Sequence, residues 1–107
     1  MLSLQEPIAL YFTLASDASV VDLARVFAED ATVRDEEKEH RGLDAIRRWR
    51  VDTMERTPFE ARPLSLEERD GAAIVPAEVT GAFPGSPVVL DHRFTLRDDR
   101  ILTLEIG

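Results

Sequence analysis

Three side chains in this sequence pair a chemically useful type with a position that aims them inward. Asp35 closes the alternating segment Ala31-Thr32-Val33-Arg34-Asp35, so its carboxylate shares a strand face with Ala31 and Val33. A carboxylate on an apolar face can accept or deliver a proton. Tyr11 lies on the stripe Ile8, Tyr11, Phe12 and Ala15 of an expected helix, where a phenol can donate a hydrogen bond. His92 is the one polar residue on the strand face Val88, Leu90, His92, Phe94 and Leu96, and an imidazole titrates near neutrality. Each has a plainer reading. Asp35 can pair with Arg34, Lys38 or Arg41, or be solvated beside Glu36 and Glu37. Tyr11 and His92 can be satisfied core residues. Trp49, Phe83 and Leu90 suit the wall of a pocket, and His40 suits its rim.

Composition removes most other chemistries. The chain has 107 residues, which suits one domain over residues 1–107. It contains no cysteine, which excludes disulfides, a thiol nucleophile and thiolate metal sites. Its two histidines, His40 and His92, lack a paired metal-ligand spacing, so no metal is expected. No phosphate loop, dinucleotide fingerprint or nucleophile elbow is present, and no cofactor is implied. A formal charge of −8 opposes a nucleic-acid backbone. The densest basic run, Arg47-Arg48-Trp49-Arg50, falls on an expected helix and reads as a solvated face or a weak anion-binding patch. No apolar run approaches a membrane span. The first residues lack the basic region of a secretory signal, so a cytoplasmic protein is expected.

The elements that must position these groups follow from periodicity. Helical spacing covers residues 7–15, with Pro7 suited to a first turn. Ser19 and Asp22 resemble a capping box for a second helix that ends near Glu29. A short strand spans residues 31–35, and the acidic stretch Asp35 to Glu39 reads as a loop. A third helix spans Leu43 to Glu55, with Leu43, Ile46, Trp49 and Thr53 on its stripe, and ends before Pro58. From Phe59 the pattern is strand. One segment runs to Glu68 with an interruption at Pro63, and Asp70-Gly71 signals a hairpin. Val75 to Phe83, Val88 to Leu96 and Ile101 to Ile106 follow, with Leu102, Leu104 and Ile106 on one face. The expected class is α+β, with three N-terminal helices packed on a curved, mostly antiparallel sheet. Such a sheet can roll into a cone whose interior is a pocket.

The stretch Phe27-Ala28-Glu29-Asp30-Ala31-Thr32-Val33-Arg34-Asp35, with His40-Arg41-Gly42 and Asp44-Ala45-Ile46-Arg47, resembles the nuclear transport factor 2-like superfamily. The similarity is to its SnoaL-like, ketosteroid-isomerase-like branch and small bacterial members of unassigned activity. The resemblance implies a cystatin-like roll. It also implies roles: Asp35 matches a proton-abstracting carboxylate at the end of the first strand, and Tyr11 matches a tyrosine that stabilises the oxygen anion. The acid that assists that tyrosine falls at Leu90 or at Asp91, depending on the landmark used. Strand parity favours Leu90, which leaves the oxyanion hole without its acid and disfavours steroid isomerisation, although His92 can substitute as a donor. Parity also opposes an Asp-Arg-Asp water-activating set built with Asp91 and Arg93, and places those two on the outer face as an ion pair or dimer contact. The expected function is therefore a homodimeric, small-molecule-binding protein with an apolar pocket for an apolar ligand, with catalysis by Asp35, Tyr11 and His92 open. The alternatives are a non-catalytic binder and a homodimerising module that uses Val89, Asp91, Arg93, Thr95 and Thr103.

Overall fold

A computed structural model describes residues 2–107. Ten elements follow one another among the described residues. Helices α1 (Glu6–Thr13) and α2 (Val20–Leu23) precede strands β1 (Phe27–Asp35) and β2 (Lys38–Arg41). Helix α3 (Leu43–Arg56) follows, and then strands β3 (Phe59–Pro63), β4 (Glu67–Arg69), β5 (Ala72–Gly81), β6 (Val88–Arg97) and β7 (Arg100–Ile106). The strands form one curved open sheet in the order β2-β1-β7-β6-β5-β3, with β4 also paired to β5. Every pairing is antiparallel except β1 with β7. The helices cover one face. Between them and the sheet lie Ile8, Leu23, Phe27, Val33, Ile46, Val75, Phe94 and Leu104, each at most 1% exposed.

Only two of the three helices are N-terminal, because α3 comes after a β-hairpin. That hairpin replaces the expected acidic loop. Glu36 and Glu37 adopt φ of 54° and 65°, and the chain turns back so that Lys38 pairs with Asp35. Paired left-handed residues give the turn whose twist matches antiparallel strands. The same device closes β4–β5 at Asp70-Gly71 and β6–β7 at Asp98-Asp99. A run of charge suits β2 because it is an edge strand, where solvated side chains discourage further pairing.

Other boundaries also move. The second helix is capped as expected, with Ser19 Oγ accepting the Asp22 N–H at 3.2 Å, but it stops at Leu23 rather than near Glu29. Leu23 and Phe27 fit either period, and backbone pairing decides: the Ile101 N–H donates to the Val26 carbonyl at 2.8 Å and starts β1 there. The expected strand from Phe59 to Glu68 is two strands laid along β5, broken after Pro63. The expected face Leu102, Leu104, Ile106 is also revised. A register shift between Thr95 and Leu96 brings Ile101 inward and leaves Leu102 half-buried, while Leu104 and Ile106 lie opposite the inward Phe94 and His92 as expected.

Candidate functional site

Asp35 is the last residue of β1, at the mouth of the space between sheet and helices. Its Oδ2 accepts the indole Nε1–H of Trp49 at 3.1 Å. Trp49 comes from the middle of α3 and is 9% exposed, so the donor is fixed by packing. Among the described residues Asp35 makes no ion pair, and the bond to Trp49 replaces the expected basic partners. This contact has no spacing signal in the sequence, because it exists only once α3 lies over β1.

A cavity of about 320 Å³ opens beside this carboxylate. Tyr11 of α1, Trp49 and Thr53 of α3, and Leu90 and His92 of β6 line it together with Asp35. Phe83, beyond the end of β5, completes one wall with Phe59 and Val79. Of the seven residues expected at a site, six therefore line one cavity. His40 does not: it stacks on Trp49 with ring centroids 5.9 Å apart, supporting the indole from β2. Sequence reading missed Phe59, Val79 and Val88. The first two sat in strands whose limits were misplaced, and Val88 was read only as part of the His92 face.

Burial favours the neutral forms of Tyr11 and His92. Burial pushes the Tyr11 hydroxyl up to about 12, against the pull of the Arg50 guanidinium and with a further push from the Asp35 charge. The phenol ring packs edge-on to Phe12, Phe27 and Phe94, with Arg50 above it at 5.4 Å. Burial likewise lowers the His92 pKa below its ordinary value, although the Leu90 carbonyl and the charges of Asp35 and Asp91 oppose the shift. His92 Nδ1 lies 3.1 Å from the Leu90 carbonyl oxygen. A carbonyl only accepts, so Nδ1 carries the proton and the neutral ring keeps Nε2 as an acceptor. His92 is thus no donor towards the cavity, and Tyr11 holds that part.

On β6 the parity expectation holds. Leu90 faces the cavity, while Asp91 is exposed on the opposite side. Asp91 and Arg93 form no ion pair among the described residues; Arg93 instead lies across from Glu105 in the β6–β7 register.

A curved sheet, covering helices and a tryptophan-bound carboxylate at the mouth of an apolar cavity define the class, and solved structures supply the family. A candidate polyketide cyclase of Sinorhizobium meliloti superposes with a TM-score of 0.88 at 40% identity, covering 97% of this chain and 95% of its own. A hypothetical protein with a ketosteroid isomerase-like fold from Catenulispora acidiphila, solved with trimethylamine, reaches 0.78 at 16% identity over 98% of this chain and 86% of its own. A candidate SnoaL-like polyketide cyclase from Jannaschia sp. CCS1 reaches 0.75 at 17% identity over 95% and 82%. No protein-family model and no curated protein matches the sequence. The chain belongs to the family of the Sinorhizobium protein, and its fold is that of the SnoaL-like, ketosteroid-isomerase-like and nuclear transport factor 2-like proteins.

Proposed function

We propose that this protein binds an apolar carbonyl compound in the 320 Å³ cavity and moves a proton on it, with Asp35 as the base. The observation that carries this reading is the Trp49–Asp35 hydrogen bond at the cavity mouth. It occupies one carboxylate oxygen and orients the other, so that a carbon beside a bound carbonyl can meet a free lone pair. The C–H bond breaks towards Asp35 and its electron pair moves onto the carbonyl oxygen. The Tyr11 O–H, kept protonated by burial, donates a hydrogen bond to that developing charge. Return of the proton to another carbon gives an isomer. Attack of the enolate carbon on a second carbonyl closes a ring, the carbonyl π pair moving onto its oxygen, which takes the proton back from Asp35. The Sinorhizobium protein named for cyclisation and the Catenulispora protein holding a small amine are in keeping with a ligand cavity in this architecture.

The test is deuterium uptake by 2-tetralone in D2O, followed by NMR. The wild-type protein should accelerate exchange, and Asp35→Asn should lower the accelerated rate by about 100-fold or more, the usual contribution of a positioned base. Exchange no faster than in buffer, or equally fast in the variant, would reject the role.

A second reading is favoured by one feature. Leu90 occupies the inward position on β6 where the family resemblance implied an acid. The oxyanion then has one strong donor, which suits binding without turnover. In that case 2-tetralone binds wild type and Asp35→Asn alike and exchanges in neither. We also propose that the outer face of β5–β7 pairs two copies of the chain, since Val89 is 56% exposed there beside the half-buried Ile74, Pro76 and Arg93.

A further inference from the structure

A second cleft, of about 410 Å³, lies on the other side of Trp49, between the end of α1, α3 and β3. It shares Tyr11, Trp49, Thr53, Phe59 and Ala61 with the first cavity, so the two spaces meet across a common wall. Their charge differs. The first cavity carries Asp35 with Glu36 and Arg56, the last two exposed and paired with each other at 3.9 Å, whereas the second is lined by Arg50 and Arg62 with Glu60. Glu60 is exposed, and Arg62 is exposed and already bridges Glu78 at 3.1 Å. The half-buried cation of the second cleft is therefore Arg50.

Arg50 is only partly used by the fold. Its Nη2 donates to the carbonyls of Leu14 and Ala15 at 3.4 and 3.3 Å, where α1 ends and its last carbonyls need donors. The guanidinium also reaches the Tyr11 hydroxyl, while Nε is buried without a partner. One turn further along α3, Thr53 Oγ1 is also buried without a partner. A helical threonine commonly bonds back to the preceding turn, and this one does not. Two donors left idle in one cleft, beside apolar walls, are an arrangement that an anionic oxygen would complete.

We propose that the Arg50–Thr53 cleft is an anion subsite that receives the carboxylate of an amphipathic ligand whose apolar body lies against Trp49 and Phe59 and extends into the first cavity. Resting on the cavity reading above, this names the ligand class: a carboxylate at one end and the reacting carbon near Asp35 at the other. The subsite also gives a use to Arg50, a member of the basic run that otherwise reads as a solvated helix face.

The experiment compares octanoate with 1-octanol, read by the fluorescence of Trp49, the single tryptophan and a wall of both spaces. Octanoate should bind wild type about tenfold more tightly than 1-octanol, the usual worth of a charge-assisted hydrogen bond. Arg50→Gln should abolish that preference without weakening 1-octanol. Because Arg50 also holds the end of α1, Thr53→Val serves as the second variant and should reduce the preference about threefold, as loss of one neutral hydrogen bond would. If 1-octanol binds and octanoate binds no better, the subsite is rejected while the apolar cavity stands. A preference that survives in both variants rejects these two residues. If neither compound binds, both the cavity and the subsite are rejected.

Discussion

Asp35 and Tyr11 owe their chemistry to neighbours that lie far away in the chain. Tyr11 is the only tyrosine, so its ionisation can be followed directly by ultraviolet absorbance. Its hydroxyl should titrate near 12 in the folded protein, rather than near its ordinary value of 10.0. The sign for stability follows. A folded-state value above the unfolded one favours the protonated form in the native state. That stability is complete below about pH 10 and is lost as pH rises towards 12, by about 2–3 kcal/mol. Absorbance and circular dichroism recorded together separate titration from unfolding. A phenol that ionises near 10 with the fold intact would place Tyr11 in water and remove it as a shielded donor. At this scale the sequence was informative about type and face: Asp35, Tyr11 and His92 were legible from parity and helical spacing. The Trp49 bond to Asp35 and the His92 bond to Leu90 were not, because each depends on the packed position of a neighbouring backbone or helix.

Helix α3 and strand β3 form the cavity's far wall, and their junction depends on a close approach. Phe59 pairs with Gly81 across β3 and β5, and a Cβ at Gly81 would lie 2.5 Å from the Pro58 carbonyl oxygen. Gly81→Ala must push β3 outward, and with it Phe59. The variant should lose about 1–3 kcal/mol of stability, the usual cost of overpacking, and should bind cavity ligands less tightly. Chemical denaturation measures the first effect, and an unchanged midpoint would show that β3 yields freely. Elements of this kind mark where sequence reading fell short. Strong alternation located β5, β6 and β7, and Pro58 ended α3 as expected. Phe27 looked helical because its spacing from Leu23 suits both periods. The β2 hairpin was hidden because two glutamates in left-handed conformations lack the usual asparagine or glycine signal. The inward face of β7 was legible at Leu104 and Ile106 but not at Ile101, because an extra residue reverses the alternation there, and alternation is all that parity can read.

As a whole molecule the chain measures 37 × 30 × 25 Å, with a Cα radius of gyration of 13.0 Å. No helix among the described residues is long and apolar enough to cross a membrane. One sheet face is covered by helices. The other carries Val89, Asp91 and Arg93 on β6 and the Thr95–Thr103 hydrogen bond at 2.5 Å between β6 and β7. If two copies pair there, small-angle scattering should give a radius of gyration clearly above the monomer value. Val89→Arg should return it to that value, because a charge buried without a partner opposes association. A wild-type radius already equal to the monomer's would exclude the dimer. The α+β class and the family likeness were legible at this scale from the order of elements and from residues 27–47. The second cleft was not, since it depends on where the end of α1 comes to rest against β3.

The measurement that tests the central claim most directly follows the Trp49 indole N–H in a proton–nitrogen correlation spectrum. A single tryptophan gives a single signal, and its hydrogen sits on the bond to Asp35 at the cavity mouth. Addition of 2-tetralone should shift that signal saturably, together with amides of β6 around Leu90 and His92. Asp35→Leu, which removes the acceptor, should move the indole signal before any ligand is added. An indole resonance that stays in place through the titration, or one indifferent to the loss of Asp35, would contradict a ligand site built on this pair.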